Sequence, residues 1–252
     1  MSKRLIAPSM LSADFLHLAK DVEMVNNSAD LFHLDIMDGV FVPNISFGFP
    51  VVEAIASKAQ KPMDVHLMIT DPGKYISRFA SVGAAMISFH LEAVEGKNPG
   101  CIDGVDAVGK CKTADNHNEN AVNETVVDEK SAEVDRMLEE IRSYGCKAGL
   151  VINPDIPVER LFPHLTHCDY ILIMSVFAGF GGQSFIPDTL DRIRLLKKEL
   201  TDRGLEIPIE VDGGVSEKNI DALSEAGAEI FVAGSAIFRS ECPADYIAEL
   251  RK

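Results

Sequence analysis

The sequence contains no tryptophan, few cysteines and no long apolar run. Its five cysteines follow no regular spacing, which argues against a disulfide framework and indicates a reducing compartment. No stretch reaches the roughly 18 apolar residues of a membrane span. The basic residues near the N-terminus are followed by no apolar segment of signal-peptide length. We therefore expect a cytoplasmic protein with no membrane partner.

Positive charge is also scarce, because 24 Lys and Arg residues face 39 Asp and Glu residues, for a formal net charge of −15. This balance excludes a nucleic-acid partner, since no basic surface can neutralise phosphates. It does not exclude a small phosphorylated ligand, which backbone N–H groups can bind. The 252 residues, 46% of them hydrophobic, suit one α/β barrel domain.

Short runs of Val, Ile, Leu and Met alternate with stretches of helical period. The predicted strands are Leu5–Ser9, Leu31–Met37, Met63–Met68, Met86–His90, Ala148–Ile152, Tyr170–Ser175, Ile207–Val211 and Ile230–Ala233. The predicted helices are Asp14–Asn26, Val51–Lys58, Pro72–Val82, Ala132–Tyr144, Thr189–Thr201 and Glu217–Glu225. Such alternation predicts βα units and a parallel sheet. Eight units favour a single closed (β/α)8 TIM barrel over residues 1–252, with an open doubly wound sheet as the alternative.

A polar segment, Glu95–Lys130, interrupts this rhythm after the fourth predicted strand. It contains eight acidic residues and four lysines and has little apolar material for a core of its own. We interpret it as an insertion, with Cys101 and Cys111 as surface thiols. We expect it to be dispensable for the chemistry. The alternative is a lid, because loops after barrel strands lie at the mouth of the barrel where catalytic groups gather.

Three predicted strands carry ionisable side chains at a spacing of two. Alternation along the second strand places His33, Asp35 and Met37 on one face, and Leu34 and Ile36 on the other. The apolar face packs against helices, so the polar face points into the barrel. Asp64, His66 and Met68 repeat this arrangement in the third strand, and Glu210 and Asp212 share a face in the seventh.

Two imidazoles and two carboxylates on inward faces predict a metal site. Clustered buried carboxylates repel one another and are costly to desolvate unless a cation compensates them. His33, Asp35, His66 and Asp212 are donors that suit Zn²⁺, with Fe²⁺, Co²⁺ and Mn²⁺ as alternatives. We expect His90 to have a structural role or to support the ligands. The remaining histidines are predicted to be surface residues: His17, His117, His164 and His167.

Glycine clusters follow the sixth, seventh and eighth predicted strands. These are Gly179, Gly181 and Gly182 around Phe180, then Gly213 and Gly214, and finally Gly234 before Ser235, where a short helix begins. Glycine lets the backbone approach a ligand and turn its N–H groups towards it. Barrel enzymes bind phosphate with the loops after strands seven and eight. The pattern therefore predicts a phosphorylated ligand.

The motifs AxSMLSADF, HLDIMDGVFVPNISFG, DVHLMI, GFGGQSFIP, EVDGGV and AGSAIF, in this order, resemble the ribulose-phosphate 3-epimerase family. The resemblance covers nearly the whole chain except the insertion. It implies metal ligation by His33, Asp35, His66 and Asp212, with Asp35 and Asp212 as the acid and base. It implies a homo-oligomer and substrate contact by Ser9 and His66. The implied phosphate-binding residues are Gly179, Phe180, Gly181, Gly182, Gly213, Gly214, Gly234 and Ser235.

The implied reaction is 3-epimerisation of D-ribulose 5-phosphate to D-xylulose 5-phosphate. A cation stabilises the enediolate, and two carboxylates on opposite faces exchange the proton. Met37, Met68 and Met174 are candidates for shielding the intermediate, or else flexible core residues.

Phe177-Ala178 stands where the family usually has Asn-Pro. This departure keeps open a ketohexose-phosphate 3-epimerase, such as one acting on allulose 6-phosphate. A metal-free phosphate-binding barrel isomerase would share the glycine clusters but would not need the two His and two Asp together. A non-catalytic phosphosugar-binding barrel is the alternative from another functional class, and it has no need of both carboxylates.

Overall fold

The computed structural model describes residues 4–96 and 124–252, with backbone alone for 124–128. The predicted insertion therefore lies largely outside the described residues, as do Cys101, Cys111 and His117. The described residues form eight strands: β1 Leu5–Pro8, β2 Phe32–Met37, β3 Met63–Met68, β4 Met86–His90, β5 Lys147–Ile152, β6 Tyr170–Met174, β7 Ile209–Asp212 and β8 Ile230–Ala233. They form one parallel sheet in the order β1-β8-β7-β6-β5-β4-β3-β2. The (β/α)8 TIM barrel is confirmed.

The seam between β1 and β2 closes the barrel without an extended ladder. Near the mouth, Ser9 and His33 form a parallel bridge. At the other end, the Asp30 backbone N–H donates to the Ile6 carbonyl at 3.1 Å. The Asp30 carboxylate in turn accepts the Ile6 N–H at 3.0 Å. A side-chain hydrogen bond and isolated backbone contacts thus replace a regular hydrogen-bonded ladder at this seam.

Helices cover the outer face of the sheet. The α-helices of the described residues are α1 Leu18–Ser28, α2 Phe49–Ala56, α3 Ile76–Val82, α4 Leu91–Glu95, α5 Glu124–Ser143, α6 Thr189–Asp202, α7 Ile220–Ala226, α8 Ser235–Phe238 and α9 Pro243–Leu250. Short 3₁₀ helices span Met10–Ser12, Pro72–Lys74 and Val158–His167. Outward strand residues such as Leu34 and Ile36 belong to the main apolar core. None of the described helices is long and apolar enough to cross a membrane.

Several predicted boundaries need correction. Helix α1 begins at Leu18 rather than Asp14, because the Asp14 carboxylate accepts the Leu16 N–H at 3.0 Å and holds a turn there. Helix α5 begins at Glu124, inside the segment predicted as an insertion. His164 is not a surface residue, since it is 4% exposed and its Nδ1 lies 2.6 Å from Asp135 Oδ1.

The lower half of the barrel interior depends on a pairing between Gly149 and Tyr170. Both lie on inward faces, in neighbouring strands β5 and β6, and are matched in register. A Cβ atom on Gly149 would stand 2.3 Å from the Tyr170 ring, far inside contact distance. The absence of a side chain at position 149 therefore makes room for the fully buried tyrosine.

Candidate active site

Strands β2, β3 and β7 bring together the four residues that the sequence singled out as metal ligands. His33, Asp35, His66 and Asp212 each offer one ligand atom, and these atoms lie within 4.8 Å of one another. His33 and His66 are fully buried, Asp35 is 3% exposed, and the side chain of Asp212 is 16% exposed. The group therefore lies inside the barrel and opens towards the mouth at Asp212.

His33 has the contacts of a histidine prepared for a cation. Its Nδ1 lies 2.6 Å from Asp64 Oδ2, and because a carboxylate oxygen accepts, the nitrogen donates. Its Nε2 has no hydrogen-bond partner among the described residues and lies 3.4 Å from Asp35 Oδ1. Burial works to lower the pKa of His33, but Asp35 and Asp64 raise it well above its usual range. The site thus favours positive charge at Nε2, and a divalent cation fits this donor set.

Asp35 is held on both sides. The Ser9 hydroxyl donates to Oδ2 at 2.5 Å, and His66 Nδ1 lies 3.2 Å from Oδ1. Burial opposes ionisation, but His33 and His66 together hold the pKa of Asp35 well below its usual range. The Asp35 carboxylate is therefore ionised and can act as a base.

Asp212 has the opposite electrostatic environment, although it carries the same side chain. Burial, and then the negative charge of Asp35, raise its pKa to about 7. One carboxylate of the pair is therefore ionised while the other holds a proton close to neutral pH. Environments that separate two such pKa values are the arrangement that acid/base catalysis uses.

His66 contacts the acid pair and a second histidine. Its Nδ1 faces Asp35 and lies 4.0 Å from Asp212 Oδ2. Its Nε2 lies 2.9 Å from His90 Nε2, and the two rings stack with centroids 5.0 Å apart. Burial, opposed by Asp35 and reinforced by His90, lowers the pKa of His66 to about 4, so the ring is neutral.

The four candidate ligands, His33, Asp35, His66 and Asp212, form an upper polar layer, and a second, lower layer lies directly beneath them. Asp64 and Glu210 are fully buried on β3 and β7, and the Tyr170 hydroxyl donates to Asp64 Oδ1 at 2.9 Å. Burial and the Asp64 carboxylate raise the pKa of Glu210 well above its usual range, which favours its protonated form. With His33, these two acids form a second group of potential ligands. Strand periodicity predicted that Asp64 and Glu210 face inward but indicated no role for them, and it did not predict the part that Tyr170 plays.

A pocket opens above the upper layer at the mouth of the barrel. Its walls include Ser9, Met37, Met68, Met174, Phe177, Phe180, Gly179, Gly181, Gly182, Gly213, Gly214, Gly234 and Ser235, and its floor includes Asp35 and Asp212. All predicted substrate contacts except the buried His66 thus line one cavity. Gly214 has a φ of +62°, and a Cβ there would stand 2.7 Å from the Phe185 backbone nitrogen. Position 214 therefore requires glycine.

The loop after β6, residues 177–182, is held from three sides. Asn44 donates to the Gly179 carbonyl at 2.8 Å. Gln183 donates to the carbonyls of Phe177 at 2.7 Å and Phe180 at 2.9 Å. The Ala178 N–H donates to Asn153 Oδ1 at 3.0 Å. The bonds of Asn44 and Asn153 join segments 135 and 25 residues apart in the sequence, so the sequence alone did not indicate them.

Comparison with known proteins identifies relatives of the whole chain. The model of the family described as "Ribulose-phosphate 3 epimerase family" matches residues 5–113 and 110–238. The ribulose-phosphate 3-epimerase of Synechocystis sp. is 43% identical over 253 aligned residues, covering 100% of this chain and 95% of that protein. The Escherichia coli K12 protein of the same name is 39% identical, covering 100% and 96%.

Solved structures with low sequence identity share the fold. KGPDC from Streptococcus mutans superposes with a TM-score of 0.65 at 12% identity, covering 98% of this chain and 95% of that chain. A 3-hexulose-6-phosphate synthase superposes with a TM-score of 0.57 at 14% identity, covering 99% and 98%. At these identities the likeness supports the barrel architecture alone.

Proposed function

The chain belongs to the ribulose-phosphate 3-epimerase family, and on that premise we propose that it converts D-ribulose 5-phosphate to D-xylulose 5-phosphate. The observation that carries the proposal is the pair of carboxylates on the floor of one pocket, Asp35 and Asp212, in opposite electrostatic environments. Epimerisation at C3 removes a proton from one face and returns a proton to the other. Such a reaction needs one base and one acid at the same carbon.

In the forward direction, ionised Asp35 accepts the C3 proton and Asp212 delivers its own proton to the opposite face. The roles exchange in the reverse direction. Ser9 donates to Asp35 Oδ2, which keeps the other oxygen, Oδ1, towards His66 and the centre of the site. We also assign Ser9 and His66 to substrate contact.

A divalent cation held by His33, Asp35, His66 and Asp212 would supply electrostatic stabilisation of the negative charge that develops on the sugar oxygens. We propose Zn²⁺ first, because two imidazoles and two carboxylates suit it, with Fe²⁺, Co²⁺ or Mn²⁺ as alternatives. The unpartnered Nε2 of His33 supports this assignment, since Asp64 already occupies its other nitrogen.

The remaining pocket walls fit the two ends of a phosphorylated ketose. We propose that the glycine loops after β6, β7 and β8 bind the phosphate through backbone N–H groups. The three methionines of the pocket, Met37, Met68 and Met174, present apolar thioethers beside the reacting carbons. We further propose that the chain is one domain over residues 1–252, carries the insertion at about 95–130, works in the cytoplasm and assembles as a homo-oligomer.

Phe177 supports a second candidate, the 3-epimerisation of a ketohexose phosphate. This side chain is 45% exposed, lines the pocket, and belongs to the pair that departs from the family pattern. A changed wall at this position alters the space available to a longer sugar. The carboxylate pair would serve both substrates.

Turnover of purified protein with pentulose and hexulose phosphates, with and without a chelator, tests these assignments. We expect the highest kcat/KM with ribulose 5-phosphate and loss of activity after metal removal. In deuterated water, the product should gain deuterium at C3. Full turnover after complete metal removal would contradict the metal assignment, and a preference for the hexulose phosphate would favour the second candidate.

A further inference from the structure

Asn153 is a fully buried residue directly after β5, and it lies in neither the carboxylate pair nor the group of four ligands. Its backbone N–H donates to Glu92 Oε1 at 2.8 Å, and its carbonyl accepts from Arg192 at 2.8 Å. Its side-chain Oδ1 accepts the Ala178 N–H at 3.0 Å. Its side-chain Nδ2 lies 3.4 Å from His90 Nδ1. Asn153 thus connects the loop after β6 to the histidine behind the site.

The Ala178 contact fixes which end of the Asn153 amide faces His90. A backbone N–H only donates, so the amide oxygen must face Ala178 and the amide nitrogen must face His90. An amide NH₂ group cannot accept, so His90 accepts at Nδ1 and carries its hydrogen on Nε2. Glu92 Oε1 lies 3.7 Å from this nitrogen, beyond hydrogen-bond distance, whereas the Asn153 amide nitrogen lies within it at 3.4 Å.

The tautomer of His90 determines the tautomer of His66. Their Nε2 atoms are 2.9 Å apart, a distance at which one nitrogen donates and the other accepts. If His90 donates, His66 accepts at Nε2 and carries its own hydrogen on Nδ1, which faces Asp35 Oδ1 at 3.2 Å. That Nδ1 is the nitrogen directed at Asp212 and the proposed cation site. A nitrogen that carries a hydrogen cannot ligate a cation.

We propose that the Ala178 N–H, acting through Asn153 and His90, holds His66 in the tautomer that does not ligate metal, so that the loop after β6 tunes metal affinity. Metal ligation moves the hydrogen of His66 from Nδ1 to Nε2 and the hydrogen of His90 from Nε2 to Nδ1. The number of protons is unchanged. Asn153 must then turn its oxygen towards His90 and give up the bond from Ala178. Asn153 and Ala178 are therefore positioning residues.

Proline at position 178 has no N–H and removes this restraint without adding charge. In Ala178→Pro, the Asn153 oxygen is free to face His90 before metal arrives. We expect the dissociation constant for Zn²⁺, measured by competition with a chromophoric chelator, to fall about fivefold, the equivalent of one typical hydrogen bond. Asn153→Asp offers acceptor oxygens to both neighbours and should also tighten binding. The double variant should gain little over either single one.

The matched control for the added charge is Asn26→Asp. Asn26 also bridges two backbone groups, the Lys58 carbonyl and the Gln60 N–H, and touches none of the site residues described above. We expect its Zn²⁺ affinity to equal that of the wild type. The absorption spectrum of the Co²⁺ form should match across all variants, because the ligands themselves are unchanged.

The inference rests on the proposed metal site, so a second readout needs no metal. In chelator-treated protein, ¹⁵N chemical shifts of the imidazoles report which nitrogen of each histidine carries hydrogen. We expect hydrogen on Nε2 of His90 and Nδ1 of His66 in the wild type, and reversed positions in Ala178→Pro. Hydrogen on His90 Nδ1 in the wild type would overturn the inference, even if Ala178→Pro failed to fold. Unchanged Zn²⁺ affinity in both Ala178→Pro and Asn153→Asp would overturn it as well. Absence of Zn²⁺ binding with the expected tautomers would instead refute the metal site of the proposed function.

Discussion

Two layers of acids lie inside the same barrel, on strands β2, β3 and β7, and they differ in their access to solvent. Asp35 and Asp212 face a pocket, and His33 Nε2 beside them has no hydrogen-bond partner in the described part of the chain. Asp64, two residues before His66 on β3, and Glu210, two residues before Asp212 on β7, are sealed from solvent. In the lower layer His33 and Tyr170 compensate the charge of Asp64. Burial and Asp64 favour the neutral form of Glu210, whose carboxyl oxygens have no hydrogen-bond partner among the described residues.

The difference teaches that a buried carboxylate indicates chemistry only where a ligand can reach it. Removing carboxylates from water is costly, and in the lower layer His33 and Tyr170 offset that cost for Asp64. The upper layer leaves His33 Nε2 without a hydrogen-bond partner among the described residues, in a place that a ligand can reach. The lower layer therefore supports the upper one, and His33 belongs to both because it contacts Asp64 with one nitrogen and faces Asp35 with the other.

The largest expected difference is between two neutral substitutions on β7. Asp212→Asn should lower kcat by about 10²- to 10⁴-fold, because an amide cannot exchange a proton with the substrate. Glu210→Gln should retain most of the turnover, because burial and the Asp64 carboxylate raise the pKa of Glu210 and so favour its neutral form. Steady-state kinetics with metal content measured in parallel checks both. Equal losses in the two variants would remove the distinction between the layers.

Asp64→Asn tests whether the lower layer supports the cation site. The Asn side chain keeps the shape but loses the charge that faces His33 Nδ1 at 2.6 Å. We expect Zn²⁺ or Co²⁺ affinity to weaken by about 10- to 100-fold, with kcat near that of the wild type once metal is saturating. The matched control is Asp71→Asn, at an exposed side chain that pairs with Lys74. Unchanged metal affinity in Asp64→Asn would show that His33 needs no partner.

A smaller effect is expected one step further from the cation site. Tyr170→Phe removes the hydroxyl that donates to Asp64 at 2.9 Å while keeping the ring against Gly149. We expect the free energy of unfolding to fall by about 1–3 kcal/mol, since Asp64 loses a buried hydrogen bond. Denaturant titration measures this loss. Tyr144→Phe, at a half-exposed ring, should leave stability within experimental error. A large fall in kcat in a Tyr170→Phe variant that remains folded would instead show that Tyr170 acts on the upper layer.

The smallest effect is expected outside both layers. Replacing residues 97–123 with a short Gly/Ser connection should leave metal affinity and kcat close to wild type, because the segment offers no aromatic or Arg side chain to grip a sugar phosphate. Growth in loop-closure entropy with length is slow, so the change in stability should also be small. A large rise in KM in a folded, metal-loaded variant would instead favour the lid.

The sequence predicted what depends on local periodicity. Spacing of two along β2 and β3 placed His33, Asp35 and His66 on inward faces, and the glycine clusters placed the mouth loops. It did not predict contacts that depend on neighbours across the barrel. Tyr170 reaches Asp64 over a separation of 106 residues and needs a glycine at position 149.

Other differences between the predicted and the observed structure arise where local sequence signals conflict. Pro163 lies inside the 3₁₀ helix Val158–His167 and disrupts helical periodicity, so this element was missed. It carries His164, whose burial depends on Asp135 of α5. The hydrogen bond between the Ala178 N–H and Asn153 could not be predicted from the sequence either, because nearly every residue type has a backbone N–H.

The Ser9–His33 bridge has a consequence for how occupancy of the pocket can be observed. A seam joined at so few points is where the folded chain opens most easily, so the amides of β1 and β2 along it should exchange with solvent sooner than those between fully laddered strands. Ser9 also donates to Asp35. A molecule that binds both Ser9 and Asp35 therefore stabilises the seam between β1 and β2. Slower deuterium uptake in Leu5–Pro8 would then report binding at the mouth, without any need to follow turnover.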